Sequence, residues 1–456
     1  MTKPDKLTIR TYQVGFGDCF LLTFHYPKSG TKKEANKHVL IDFGSTGAPA
    51  GSPPNLMRLI AEDIATTTGG KLTAVVATHR HKDHISGFAT AAKAKGPGDV
   101  IRKLKPDVVM QPWTEDPRAK KDAEEATKAL ASNKPLTGAK KLAGNVSFVG
   151  ALSAMQSFSD TSLREMKGLR LGPRSRLRKE LAFIGDDNLA NLAAVENLMT
   201  MGGKKGKQEY LAFGDSTKLQ KLLPGVKVLV IGPPTIKQSD TIKKQRSKDP
   251  DEFWHLMGLS SHSFQGGSAS PFGDRHANNG AMPPWARWLV PKMLRNRASG
   301  LLELVRILDD AMNNTSLILL FEVGGKRFLF PGDAQIENWN YVLKGTTKKH
   351  EAIRKMLEKV DFYKVGHHGS LNATPKTLWG LFTKKGKAGA AGRLKTVVST
   401  MPGKHGSTTA GTEVPRRPLV EALSKNSDYF STTQLERGKK KADKMKVLSK
   451  DFVTAV

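Results

Sequence analysis

The sequence predicts a mixed α/β (α+β) fold of two facing mixed β-sheets with helices on their outer sides, a four-layer αββα sandwich. Strand-like segments are concentrated in two halves of the chain, and each half places potential metal ligands directly after a strand. Because a sheet with an apolar face must bury that face against another layer, two such halves are expected to pack together. The composition, with 38% hydrophobic and 25% charged residues, is that of a folded chain.

Residues 1–100 are expected to form the first half of this sandwich. Strands are predicted by alternating polarity over 7–12 and by apolar runs over 19–24, 38–42 and 72–78. A helix is predicted where apolar residues recur at helical spacing, over 56–64. The last of these strands delivers a cluster of histidines at its carboxyl end.

The middle of the chain has a different character. Residues 101–207 are rich in Lys, Ala and Leu and predict a mainly helical insertion, with helical patches at 122–131 and 188–199. Residues 208–236 are expected to return to the core sheet. Residues 237–300 are dense in Gly, Ser, Asn and Pro and predict a long loop insertion, which we expect to cover the site or project from it.

Residues 301–456 are expected to complete the sandwich as its second half. The expected strands are 316–323, 326–330, 360–365 and 396–399, and the expected helices are 301–312, 335–343, 350–357 and 418–424.

The charge of the chain points to a polyanionic partner. Lys and Arg number 73 against 42 Asp and Glu, a formal net charge of +31. Such a net charge attracts nucleic acid or another phosphate-rich molecule, and the alternative explanation is solubility with weak non-specific binding. The clustering of the basic residues favours the polyanionic partner. The basic residues cluster in runs at 170–179, 204–207, 243–248 and 439–446.

The remaining bulk features indicate a protein without a membrane association, in the cytoplasm. No stretch approaches the roughly 20 consecutive apolar residues of a membrane helix, and the polar start of the chain does not predict a signal peptide. The single cysteine, Cys19, excludes an internal disulfide and any site with several cysteines, as expected in a reducing compartment. Its apolar surroundings predict a small buried hydrophobic residue rather than a nucleophile.

The strongest local signal is a group of four potential ligands, His79, His81, Asp83 and His84, directly after a strand. Histidine nitrogens and carboxylate oxygens bind Zn²⁺ and similar ions. Alternation places the first two on one side of the strand end, and the following turn aims the other two at a neighbouring position. This arrangement suits two divalent ions about 3.5–4 Å apart. A histidine-rich surface loop is the alternative.

The group resembles the signature of metallo-β-lactamase-fold hydrolases. Of these, the chain is most similar to the C-terminal hydrolase domain of ComEC-type DNA-uptake proteins and its stand-alone relatives. Phe16 stands where that group usually has Gln. The segments that carry the resemblance follow in family order at 14–19, 40–44, 79–84, 223–234, 313–317, 330–334 and 364–370.

The resemblance implies a role for each ligand. His79 and His81 would hold one metal ion, and Asp83 and His84 the other. Asp333 would bridge the two ions by lending one oxygen to each. The ions would be Zn²⁺ or Mn²⁺.

The segment Gly366 to Ser370 contributes one more ligand by the same resemblance. His367 is the preferred ligand, and His368 would then donate a proton to the leaving group, although the two could be exchanged. Asp42 would orient a ligand histidine through its free ring N–H, or it is simply a carboxylate at a strand end.

Two positions depart from the pattern. Asn313 and Asn314 stand where many relatives have a third histidine on the first metal, which would weaken that site or allow Mn²⁺ to exchange into it. Arg417 stands where relatives have a histidine, and it suits a phosphate oxygen better than a metal. His405 either supplies a replacement imidazole or lies in an exposed loop.

These features together predict a metal-dependent hydrolase that uses a metal-activated hydroxide, with Asp83 or Asp333 holding or accepting the water proton. The basic charge favours a phosphodiester in DNA or RNA. Hydrolysis of a small ester, lactone or cyclic nucleotide is the first alternative, and a non-catalytic polyanion-binding protein with an eroded metal site is the second. A second Gly-Asp pair, Gly214 and Asp215, is expected to be a structural turn.

Overall fold

The computed structural model describes most of the chain outside the two expected insertions. It describes residues 3–27, 36–119, 123–126, 191–202, 207–243, 312–372, 374–409, 411–435 and 447–456. The expected helix 301–311 and the loop insertion from residue 244 onward lie outside this part, as do residues 127–190. Residues 123–126, which belong to the expected helix 122–131, are not helical.

The described residues contain thirteen strands, numbered here in chain order. They are β1 Lys6–Tyr12, β2 Cys19–His25, β3 Lys37–Phe43, β4 Ala74–Val76, β5 Val108–Pro112, β6 Lys207–Leu211, β7 Val226–Gly232, β8 Ile318–Val323, β9 Lys326–Phe330, β10 Phe362–Lys364, β11 Lys395–Val398, β12 Asp428–Ser431 and β13 Ser449–Ala455.

The strands form two mixed sheets. The first has the order β13-β1-β2-β3-β4-β5-β6, with antiparallel pairing up to β3 and parallel pairing beyond it. The second has the order β12-β11-β10-β9-β8-β7, in which β9 to β12 are parallel and β7, β8 and β9 antiparallel. Each sheet therefore combines a hairpin portion with a parallel portion.

Nine α-helices lie in the described residues. They are α1 Leu56–Thr67, α2 Lys82–Ile85, α3 Pro97–Lys103, α4 Leu192–Thr200, α5 Leu219–Leu222, α6 Ile336–Lys344, α7 Lys348–Glu358, α8 Lys376–Leu381 and α9 Arg417–Asn426.

Three buried clusters show how the layers pack. One cluster joins inward side chains of both sheets, such as Phe24 and Phe321, whose ring centroids lie 6.1 Å apart. A second covers the outer face of the first sheet with α1, α3 and α4. A third, which includes Trp339, covers the outer face of the second sheet with α6 to α9. Successive side chains of a strand point to opposite faces of the sheet. Because apolar residues occupy both sets of positions, both faces of each sheet are buried.

Part of the expected insertion belongs to the sheet. Residues 101–207 were expected to be mainly helical, yet Val108–Pro112 is fully buried and pairs in parallel with both neighbouring strands. A continuous apolar run without alternation is typical of a strand buried on both faces, and such a run is also compatible with a helix. The helix Leu192–Thr200 agrees with the expected patch at 188–199.

No helix in the described part of the chain is long and apolar enough to span a membrane.

Phe321 is a direct test of the packing between the sheets. Its ring is fully buried against Phe24 and Phe330. We expect Phe321→Ala to lower the free energy of unfolding by about 3–5 kcal/mol, because the substitution leaves a cavity between two rigid layers. Urea denaturation measures the loss. Leu192→Ala, at a side chain that is 61% exposed, is the control and should change it by less than about 0.5 kcal/mol. Equal effects of the two variants would contradict the facing-sheet core.

Candidate metal centre

The site lies where the parallel strands of both sheets end. His79 follows β4, Asp333 follows β9 and His368 follows β10, and Asp42 is the penultimate residue of β3. The carboxyl ends of parallel strands lie on one edge of a sheet, where α/β folds commonly bind ligands. The two sheets therefore bring side chains from distant parts of the sequence into one buried cluster.

The first ligand group contains His79, His81 and Asp83, whose ligand atoms all lie within 4.8 Å of one another. Nε2 of His79 lies 2.9 Å from Nδ1 of His81, so the two ring nitrogens converge as the strand alternation predicts. All three residues are buried.

The second group contains Asp83, His84, Asp333 and His368, again within 4.8 Å. Oδ2 of Asp333 lies 3.0 Å from Nε2 of His84, and Oδ2 of Asp83 lies 3.0 Å from Nε2 of His368. Asp83 belongs to both groups, which places the two groups side by side. The structure therefore brings together five of the six residues expected to bind metal, and it adds His368.

His367 lies outside the cluster. Its Nδ1 is 2.8 Å from Oγ of Ser370, whereas Nδ1 of His368 lies 2.9 Å from the carbonyl oxygen of Ser399 and its Nε2 faces Asp83. The preference for His367 as the ligand is thus reversed by the geometry. Both histidines have left-handed backbone, with φ of 44° and 53°, so simple alternation after the strand does not apply.

Asp42 contacts His84 through the ring nitrogen that does not face the other ligands. Its Oδ2 lies 2.8 Å from Nδ1 of His84, and its Oδ1 accepts a 2.7 Å hydrogen bond from the backbone N–H of Thr78. The φ of Asp42 is 54°, an uncommon value for a residue with a side chain, and the surrounding contacts hold it there. Gly44, two residues later, packs so closely on the backbone of Asp83 and His84 that a Cβ would lie 2.5 Å from it.

The two oxygens of Asp333 have different surroundings. Oδ1 accepts a 2.9 Å hydrogen bond from the backbone N–H of His367 and lies 3.5 Å from Nζ of Lys364. Oδ2 faces Nε2 of His84 and lies 3.7 Å from Nε2 of His368. The expected bridge, with one oxygen for each ion, therefore does not match this arrangement, in which only Oδ2 points into the ligand cluster.

The sequence did not identify Asp18 and Lys364 as site residues. Lys364 is 2% exposed, and its ammonium group forms an ion pair with Asp18, which is fully buried. The available signal was a lysine in an otherwise apolar strand next to the expected ligands. Burial opposes the charge on Lys364, but the carboxylates of Asp18 and Asp333 raise its pKa above the usual range. Burial raises the pKa of Asp18, although the charge of Lys364 opposes this, and the pairing leaves neither buried group without a partner.

The ligand side chains have strongly perturbed pKa values. Burial disfavours ionisation of Asp83, but His84 and His368 hold the pKa of this carboxyl well below its usual range. Burial lowers the pKa of His79, and the nearby rings of His84 and His81 lower it further. For His84, burial is outweighed by Asp333, and its pKa is raised. Such shifts are typical of functional sites and of buried ion networks.

The other expected residues surround the cluster at greater distance. His405 is half-buried, and its ring packs edge-on against Phe16, which also contacts the ring of His368 with centroids 4.2 Å apart. Burial lowers the pKa of His405 to about 4, so its ring is neutral near pH 7. Arg417 is exposed at the start of α9. The backbone N–H of its neighbour Arg416 donates to the carbonyl of Gly369, which holds this helix start beside the His368 turn.

Asn314 is fully buried, and neither polar atom of its side chain has a hydrogen-bond partner in the part of the chain that the structure describes. It lies two residues before Ser316, whose Oγ accepts a hydrogen bond from the backbone N–H of Asp333. An amide buried in this way leaves an acceptor oxygen available, and its desolvation is costly unless something binds it.

The residues present fit divalent metal ions. The donor set is imidazole nitrogen and carboxylate oxygen, which Zn²⁺ and Mn²⁺ accept. Oδ1 of Asp83 is buried without a hydrogen-bond partner among the described residues. Buried carboxylates such as Asp83 and Asp333 in one cluster need cations near them, because isolated buried charge is costly. The cluster could therefore hold a metal ion.

Two expectations outside the cluster are confirmed. Gly214 has a φ of 86°, and Oδ2 of Asp215 accepts a 2.8 Å hydrogen bond from the backbone N–H of Ala212, so this pair is a structural turn. Cys19 is fully buried among apolar side chains.

No protein-family model matches the chain, and no curated protein matches it by sequence.

The two neighbouring histidines offer a matched test of the ligand set. We expect His368→Ala to bind fewer equivalents of Mn²⁺ or Zn²⁺ than the wild type, because it removes a nitrogen from the second group. His367→Ala should bind the wild-type number. Equilibrium dialysis followed by elemental analysis measures both. Loss of metal in the His367 variant alone would contradict the assignment.

Proposed function

We propose that the chain is a metal-dependent hydrolase of the metallo-β-lactamase fold and that its preferred substrate is a phosphodiester in DNA or RNA. The observation that carries the proposal is the shared position of Asp83 between two buried ligand groups. Two adjacent groups of nitrogen and oxygen donors at the carboxyl ends of parallel strands are typical of hydrolytic metal sites.

The ligands divide into two sets. One ion would be held by His79, His81 and Asp83, and the other by Asp83 together with the remaining members of the second group. Divalent ions bound in such a pair lower the pKa of water and polarise a phosphoryl oxygen. The family resemblance supports His79 and His81 on one ion and His84 on the other, although it assigns Asp83 to the second ion alone and makes Asp333 the bridge. Each sheet has a parallel portion that ends at the site.

The chain's own residues supply orientation and proton handling. Asp83 uses Oδ2 toward His368, while its Oδ1 has no hydrogen-bond partner among the described residues. Oδ1 is thus available to a metal ion, and Asp83 or Asp333 would hold the attacking water or accept its proton. Asp42 fixes the ring of His84 through Nδ1, which keeps Nε2 turned into the cluster. These contacts preorganise the ligands before substrate arrives.

Substrate preference is inferred from charge. The net charge of +31 favours a polyanion, and Arg417 is exposed on the helix start that is held beside the His368 turn. A guanidinium at that position suits a phosphate oxygen. The half-buried ring of His405 packs edge-on against Phe16, which contacts His368, and His405 would contact an apolar part of the substrate, such as a sugar or base.

The decisive experiment is hydrolysis of end-labelled DNA and RNA with added Mn²⁺ or Zn²⁺. We expect cleavage by the wild type and at least about 10³-fold slower cleavage by the double variant Asp83→Ala, His84→Ala, because both ligand groups lose a member. The rate should fall steeply with added salt, since phosphate contacts release counterions.

His25→Ala is the matched control, because this histidine lies at the end of β2, bonds to Thr8 and belongs to neither ligand group. It should cleave at the wild-type rate. Bound metal without cleavage of any nucleic acid would overturn the phosphodiester proposal and favour a small ester, lactone or cyclic nucleotide. Nucleic-acid binding without bound metal would favour a non-catalytic protein.

A further inference from the structure

Lys364 is a buried lysine beside the ligand cluster. It is the last residue of β10, a strand flanked on both sides by parallel neighbours, and it is 2% exposed. Its ammonium group contacts Asp18, donates a 3.1 Å hydrogen bond to the carbonyl of Gly332 and lies 3.5 Å from Oδ1 of Asp333. Three oxygen acceptors, from Asp18, Gly332 and Asp333, therefore face this ammonium group.

The ammonium also faces a third group of potential ligands. Asp18, Asp42 and His84 are buried with ligand atoms within 4.8 Å of one another. Oδ2 of Asp18, which pairs with Lys364, lies 3.6 Å from Nδ1 of His84. A group of this composition would attract a cation on its own, and in this chain a lysine supplies one.

The contact between Lys364 and Asp333 leaves the two oxygens of this carboxylate in different surroundings. Lys364 and the backbone N–H of His367 both face Oδ1, so one oxygen of this carboxylate is already engaged by donors. Oδ2 alone faces His84 and His368. A carboxylate with one oxygen held in this way binds through the other.

We propose that Lys364 is an internal cation of the metal centre: it neutralises Asp18 and, together with the backbone N–H of His367, engages Oδ1 of Asp333, so that Oδ2 is the oxygen that Asp333 offers to metal. This inference rests on the proposed metal centre. Lys364 is a positioning residue, since it acts through the two carboxylates. Its permanent charge opposes the binding of a divalent ion nearby, and the cluster therefore holds its ions less tightly than its carboxylates alone would allow.

A double-mutant cycle on Lys364 and Asp18 tests the inference. The variants are Lys364→Met, Asp18→Asn and the double variant, with the Kd for Mn²⁺ measured by calorimetry. We expect Lys364→Met to bind Mn²⁺ about tenfold more tightly and Asp18→Asn about tenfold more weakly, with the double variant close to wild type. A merely structural lysine would weaken metal binding when removed, so the sign of the change decides.

Lys364→Met leaves Asp18 buried without its partner and could prevent folding. The double variant leaves no such charge, and it differs from Asp18→Asn only by the lysine charge. Tighter Mn²⁺ binding by the double variant than by Asp18→Asn supports the inference on its own. Equal or weaker binding overturns it.

A spectroscopic measurement tests the orientation of Asp333. With Co²⁺ in place of Mn²⁺, the visible d–d bands of the double variant should differ from those of Asp18→Asn, because Oδ1 of Asp333 then keeps only the backbone N–H of His367 as a donor. Identical spectra would overturn the orienting role. Absence of bound metal in the wild type would instead overturn the metal centre itself, so the two failures are distinguishable.

Discussion

The burial of several carboxylates at one edge of two sheets is the constraint on which the rest of the structure depends. Asp18, Asp42, Asp83 and Asp333 are each buried within a network of histidines and one lysine. Buried negative charge is stable only when cations and hydrogen-bond donors lie within a few ångströms. Lys364 meets part of this requirement, and the imidazole nitrogens converge with the remaining carboxylate oxygens in a cluster that could hold a metal ion.

The fold brings these buried carboxylates and histidines together at one edge. Each sheet ends its parallel strands at the shared edge, so ligands separated by hundreds of residues approach within hydrogen-bond distance, as Asp83 and His368 do. Side chains on buried strand ends are held by packing on all sides, which limits their rotamers. Left-handed backbone at Asp42 and His368 then aims two of these side chains in directions that regular strands do not offer.

The sequence predicted those parts of the site that depend on local spacing. His79 and His81 lie together because alternation after a strand is a local rule, and the two-sheet class followed from apolar patterns. The choice between His367 and His368 depends on a left-handed turn that neither residue type specifies. The pairing of Asp18 with Lys364 joins two sheets, and a lysine in an apolar strand does not by itself specify its partner. Val108–Pro112 falls within the segment predicted as helical from its Lys, Ala and Leu content, and its continuous apolar run fits a strand or a helix.

Anomalous diffraction from crystals grown with Mn²⁺ tests the central claim most directly. We expect two strong peaks at the manganese edge, one on each side of Asp83. One peak should lie beside His79 and His81, and the other beside His84, Asp333 and His368. A single oxygen of Asp333 should face the metal while the other stays with Lys364. No peak in the cluster of a crystal with Mn²⁺ bound elsewhere, or a peak beside His367, would contradict the account.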